Sequence, residues 1–154
     1  MADVFDEAER SRLMARVRSR GNRSTEVKLA TLFRGAGITG WRRSYPIFGK
    51  PDFVFTKQRV AVFVDGCFWH QHECSFRYTP KSRLEFWLPK FAKNVARDRL
   101  VTRILRSARW RVIRIWECDL VPRRHNRVIN RVRRALEFAP LEDKTTSPLR
   151  KVLR

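Results

Sequence analysis

Pro51-Asp52-Phe53-Val54-Phe55-Thr56-Lys57-Gln58-Arg59-Val60-Ala61-Val62-Phe63-Val64-Asp65 is the stretch that decides the fold. Two runs rich in Val and Phe, Pro51 to Thr56 and Arg59 to Val64, flank the polar pair Lys57-Gln58, which is the pattern of two strands joined by a turn. A third such run is Trp110 to Trp116, and Trp41 to Tyr45 offers a short fourth strand. Helical spacing surrounds these strands. After Ser24, a capping type, Leu29, Leu32, Phe33 and Ala36 fall at i, i+3, i+4 and i+7, and Gly35 and Gly37 mark the end. Ser82 and Glu85 have capping-box spacing for a second helix, in which Pro89 predicts a kink or restart and Val101, Ile104, Leu105 and Ala108 form the apolar stripe. A last amphipathic helix from about Arg123 to Phe138 turns Ile129, Val132 and Leu136 inward.

At 154 residues the chain has room for one core. The reading gives a single domain over residues 1–138, with an N-terminal arm over about residues 1–20 whose helix Asp6 could cap. Residues 139–154 read as a flexible basic tail. Lys and Arg number 35 against 15 Asp and Glu, a formal charge of +20, while 43% of residues are hydrophobic. A folded protein that cationic repels itself unless a polyanion is its partner, and nucleic acid is the commonest one. No run approaches the ~18 apolar residues of a membrane span, and Met1 to Arg10 is acidic where a signal peptide is basic, so the chain reads as cytoplasmic.

Cys67, His72 and Cys74 are spaced C-x4-H-x-C, and Cys118 is the one further cysteine. Together they make a Cys3His set with the softness and ligand count of a structural Zn2+ site; the alternative is three buried free thiols. The segment from Cys67 to Pro80 has little apolar content and needs a staple, which favours the metal.

If the two strands pair as a hairpin, residues whose numbers sum to about 116 lie opposite each other, which brings Asp52 beside Val64 and Asp65. Two carboxylates and a strand-end carbonyl then make an oxygen-rich site suited to Mg2+, and two carboxylates that close favour a shared cation, so Asp65 is read as a direct or water-mediated ligand. His70, outside the zinc set, is a candidate general base or metal-water partner, or else a fourth-choice zinc ligand or packing residue, and the alternative for Asp52 is a capping or turn aspartate after Gly49, Lys50 and Pro51. Lys90, Asn94 and Asp98 are spaced by four and share one side of their helix. Asp98 and Glu26 are further polar candidates, with an ordinary ion pair and a helix-dipole contact as the alternatives. Phe68 and Trp69, adjacent in the same short loop, can either wedge between base pairs or cover the metal site.

Pro51-Asp52-Phe53, Val62 through His70, Glu85-Phe86-Trp87-Leu88, Lys93-Asn94-Val95, Arg97-Asp98, Trp110-Arg111-Val112 and Trp116-Glu117-Cys118 together resemble the very short patch repair (Vsr) endonuclease family over about residues 1–120. The resemblance implies an α/β, restriction-endonuclease-like mixed sheet flanked by helices, and an enzyme that nicks the thymine strand at T:G mismatches left by deamination of 5-methylcytosine. It implies Asp52 and the Val64 carbonyl as Mg2+ ligands, His70 as the catalytic histidine, Glu26 and Asp98 as supporting groups, and Cys67, His72, Cys74 and Cys118 as Zn2+ ligands. Met14, Phe68 and Trp69 would intercalate, and Lys90 and Asn94 would face the mismatch. Asp65 departs from the pattern, since some members carry a second active-site histidine there. The implied partners are double-stranded DNA with a T:G mismatch, a cytosine-5 methyltransferase and a repair polymerase, with the protein a nucleoid-associated monomer. The competing readings are a restriction-like Mg2+-dependent nuclease and a zinc-stapled DNA-binding module without catalysis.

Overall fold

The computed structural model describes residues 23–137. Met14, the expected first helix of the arm and the expected tail lie outside the described residues. A π-helical turn, Arg23–Val27, runs into helix α1 (Lys28–Gly35). Strands β1 (Trp41–Arg42), β2 (Phe53–Phe55) and β3 (Val60–Asp65) follow, then helix α2 (Leu84–Ser107), strand β4 (Arg111–Trp116), two short 3-10 turns and helix α3 (His125–Glu137). The strands form one sheet in the order β1-β2-β3-β4, antiparallel up to β3, with β3 and β4 parallel. This is a mixed α/β sheet, and α2 is the crossover that a parallel pair requires.

Alternation along the strands divides the core between the two sheet faces. Phe53, Phe55, Val60, Val62, Ile113 and Ile115 pack with Leu29 and Phe33 of α1 and Val128 and Val132 of α3. Val54, Ala61 and Phe63 face the other way, onto Val101 and Leu105 of α2. Strands β2 and β3 are therefore buried on both sides, and they carry the continuous apolar runs that such burial demands. Ile129 and Leu136 of α3 are only partly buried, while Val128, Val132 and Ala135 take the deepest positions.

Several local expectations need correction. The hairpin pairs Phe53 with Val62 and Phe55 with Val60, one residue out of the register expected, because the turn spans four residues, Thr56 to Arg59. Helix α2 begins at Leu84 behind Arg83, without a side-chain cap, so Ser82 and Glu85 form no capping box. Pro89 does not restart the helix, which runs unbroken to Ser107. Pro89 lies in the second turn, where it removes the N–H that would bond the Glu85 carbonyl, and the helix carries that one missing bond. The first helical turn already includes Ser24, which is therefore not ahead of the helix as a cap. Strand β1 is only two residues long. Among the described residues, no helix is long and apolar enough to cross a membrane.

Candidate active site and metal centre

Parallel pairing of β3 with β4 sets Asp65 beside Trp116. Cys67 and Cys118, each two residues further on, therefore leave the same end of the sheet side by side. The loop after β3 returns His72 and Cys74 to them: His72 N–H donates to the Cys67 carbonyl, and its ring stacks on Trp116 at 4.3 Å and 8°. One ligand atom from each of Cys67, His72, Cys74 and Cys118 lies within 4.8 Å of the others. His72 Nδ1 stands 3.7 Å from Cys67 Sγ and 3.5 Å from Cys118 Sγ. Ligands held tetrahedrally at about 2.0 to 2.3 Å from one ion lie roughly 3.5 to 3.8 Å apart, so this group has the dimensions of a four-coordinate metal site. Without a cation, burial and the neighbouring thiols push Cys67 up to about 12, and Cys118 is raised as well.

Beside this cluster the same strand ends open into a cleft of about 920 Å³ between the sheet edge and α2. Asp52 lies just before β2. Its N–H donates to the Val62 carbonyl, and its Oδ2 accepts the Val64 N–H at 2.7 Å. Burial raises Asp52 to about 7, against the lowering effect of the Val64 N–H, with Glu26 and Asp65 adding to the rise. Glu26, buried at the start of the first helical turn, forms an ion pair with Arg43 on the same cleft wall. Gly49, with φ +79°, lets the loop before Asp52 lie against α2; a Cβ there would meet Val101 Cγ1 at 2.2 Å.

Opposite Asp52, His70 is held between two carboxylates. Its Nδ1 is 2.5 Å from Asp98 Oδ2, and its Nε2 is 3.6 Å from Asp65 Oδ1. Burial works against the imidazolium, but the Asp98 hydrogen bond and the charges of Asp65 and Asp98 outweigh it and raise the His70 pKa. Asp65, Asp98 and His70 form a compact group in which Asp52 is not included. The Asp65 carboxylate is engaged by Arg114, a residue the sequence reading passed over. It therefore does not point to Asp52 as the expected hairpin register implied.

Phe68 and Trp69 meet edge to face at 5.0 Å in the loop between the metal cluster and the cleft, both partly exposed. Trp87 and Phe91 of α2, four residues apart, pack under Phe68 at 5.5 and 5.2 Å, and Tyr78 stacks on it. These three were missed as members of the cluster, although the i, i+4 spacing of Trp87 and Phe91 was a usable signal. Lys90 Nζ sits 5.1 Å over the Trp69 ring, and Asn94 Nδ2 donates to the Trp69 carbonyl at 3.0 Å. Both polar residues thus converge on the aromatic loop.

The sequence profile described as DNA mismatch endonuclease Vsr matches residues 2–76. Among curated relatives, the DNA mismatch endonuclease Vsr of Escherichia coli is 42% identical over 120 residues, covering 78% of this chain and 76% of the relative. The type II nicking enzyme V.XorIIP of Xanthomonas oryzae pv. oryzae is 38% identical, covering 78% and 88%. A third, V.NmeAIP of Neisseria meningitidis, is 33% identical over its full length and 88% of this chain. With a cationic chain, a cleft lined by carboxylates and a histidine, and relatives of this similarity along most of their length, the chain belongs to the Vsr family of DNA mismatch endonucleases.

Proposed function

We propose that this endonuclease nicks the thymine strand at T:G mismatches, using Mg2+ in the cleft and a structural Zn2+ beside it. The observation that carries the reading is the cleft itself, which Asp52 and the His70–Asp98 pair line together with Phe68 and Trp69 of the aromatic loop. Burial and the neighbouring carboxylates raise Asp52 to about 7, and its oxygen donors suit a hard ion such as Mg2+. When bound, Mg2+ would acidify and position the attacking water and neutralise charge on the phosphate. Asp52 and the Val64 carbonyl would hold it, with Glu26 as a further polar group on that wall. His70 has Nδ1 committed to Asp98, which leaves Nε2 as the nitrogen that takes or returns a proton. Cys67, His72, Cys74 and Cys118 would hold Zn2+ and so fix the loop that carries Phe68, Trp69 and His70.

Met14, Phe68 and Trp69 would part the base pairs, and Lys90 and Asn94 would face the mismatched bases. In this reading the protein works as a monomer on cytoplasmic, nucleoid DNA. It would act alongside the cytosine-5 methyltransferase that creates the lesion and the polymerase that fills the gap. Strand-labelled duplexes differing only in one pair, T:G against T:A, test it: one nick, on the thymine strand of the T:G duplex, is expected.

Two further outcomes follow from the same groups. The metal requires the ionised carboxylate, and folded Asp52 stays protonated up to about pH 7, well above the ordinary 3.8. The Mg2+ concentration for half-maximal nicking should therefore rise about tenfold per pH unit below 7. Metal-free protein should show the matching sign: folded Asp52 keeps its proton where the unfolded group has lost it, so its contribution to stability falls as pH rises from about 4 to 7. Titrations at three pH values, with thermal melts of the zinc-loaded protein without added Mg2+, check both.

Replacing Phe68 and Trp69 by Ala should reduce the preference for T:G over T:A more than it reduces general DNA affinity. The general part comes from phosphate contacts and falls with salt at a log-log slope of about −0.9 per phosphate neutralised. Competition binding at two salt concentrations separates the two effects.

A further inference from the structure

Helix α2 is poorly anchored where it matters. Its buried residues are Trp87, Phe91, Val101 and Leu105, so the stretch between Phe91 and Val101, which carries Asn94 and Asp98 past the cleft, puts no residue into the core. An amphipathic helix is normally located by its apolar face, and here that face is interrupted for over two turns. Other contacts must set the position of Asp98, and with it the position of the His70 ring.

Arg114 provides them. It lies on β4 directly opposite Phe63, on the sheet face that α2 covers, and its guanidinium lies over the Phe63 ring at 4.8 Å. Nη1 pairs with Asp65 Oδ2 on β3 and stands 3.4 Å from Asp98 Oδ1, while Nη2 donates to the Asp98 backbone carbonyl at 3.2 Å. One planar fork thus ties the end of β3 to both the side chain and the main chain of the helix residue that grips His70. A lysine, with a single ammonium, could not reproduce that set of directions. The side chain is 16% exposed, so these bonds lie largely out of competition with water.

We propose that Arg114 is a positioning residue for strand cleavage, clamping Asp65 and Asp98 so that the His70 ring is held between them. Asp65 is then a strut and not a metal ligand. This rests on the reading of His70 as the proton-transfer group, and it goes beyond that reading by assigning the orientation of the ring to a residue that acts on it through Asp65 and Asp98.

Removing Arg114 alone strands the buried carboxylate of Asp65 and could unfold the protein for that reason. The test therefore compares Asp65→Asn with the double variant Asp65→Asn/Arg114→Met, which has no buried charge to strand. It also includes Arg114→Lys, which keeps the charge and loses the fork. Single-turnover nicking of a T:G duplex in saturating Mg2+ is measured with its Kd without added Mg2+ and the half-saturating Mg2+ concentration. Misplacing a reacting group by about 1 Å costs about 100-fold in rate. The double variant is expected to nick roughly 10- to 100-fold more slowly than Asp65→Asn, with Kd and the Mg2+ midpoint within about twofold, and Arg114→Lys to fall in the same direction. A double variant as fast as Asp65→Asn, or an Arg114→Lys with the parent rate, overturns the proposal. So does an Asp65→Asn variant whose Mg2+ midpoint rises several-fold, since Asp65 would then hold metal. Asp52→Asn is run beside them: if it nicks at the parent rate, the reading of the cleft fails, whatever Arg114 does.

Discussion

Cys118→Ala should lose bound metal and soluble folded protein together. Four ligand atoms within 4.8 Å join the ends of β3 and β4 to a loop that has almost no core of its own. A structural Zn2+ binds with an apparent free energy of about 10 to 16 kcal/mol, against about 5 to 15 kcal/mol for the whole stability of a domain. With one sulfur gone, the remaining thiols are left crowded and buried, and the loop carrying Phe68, Trp69 and His70 loses its tether. Elemental analysis should give one zinc per parent chain and none per variant, and the far-UV melt of the variant should collapse. A variant that keeps both its metal and its stability would remove the zinc assignment, and one that loses the metal and still melts like the parent would remove its structural role.

Asp52→Asn should reduce nicking by on the order of 10³-fold, the equivalent of the several kcal/mol that a catalytic metal supplies, while leaving T:G binding close to that of the parent. Asparagine keeps an oxygen for the Val64 N–H, so the local fold survives, and it removes the charge that would hold the cation. The burial that raises Asp52 to about 7 also means that the neutral side chain costs no stability, and the variant should melt at or above the parent temperature without Mg2+. Equal losses of binding and cleavage would make Asp52 a structural aspartate.

The hairpin, the long second helix and the four-ligand set could all be read from the sequence, because each leaves a local mark: an apolar run, an amphipathic spacing, a set of soft ligands. The hairpin register could not. Strands β2 and β3 are buried on both faces, so a slip of one residue violates no hydrophobic pattern. The turn that fixes the register holds Arg59 at φ +52°, a conformation that its residue type does not announce. That one residue sets Asp52 opposite Phe63 in the register, although its carboxylate still takes the Val64 N–H. Arg114 was hidden for a different reason. In the strand Trp110 to Trp116 it reads as an outward polar position, and its partner Asp65 is brought to it only by the parallel pairing of β3 with β4. Long-range pairing of this kind leaves no trace in a window of sequence. His70 and Asp98 are 28 residues apart: each could be singled out as a polar candidate, but spacing alone never placed them in contact.

The central claim is tested most directly by the strand-resolved nicking rate of the full-length protein on one end-labelled duplex, prepared with a single T:G pair and with T:A at the same position, with Mg2+ and without added divalent metal. The predicted result is a single nick on the thymine strand of the T:G duplex, present with Mg2+ and absent without it. Equal cutting of the T:A duplex, cutting of both strands, or an undiminished rate without Mg2+ would contradict it.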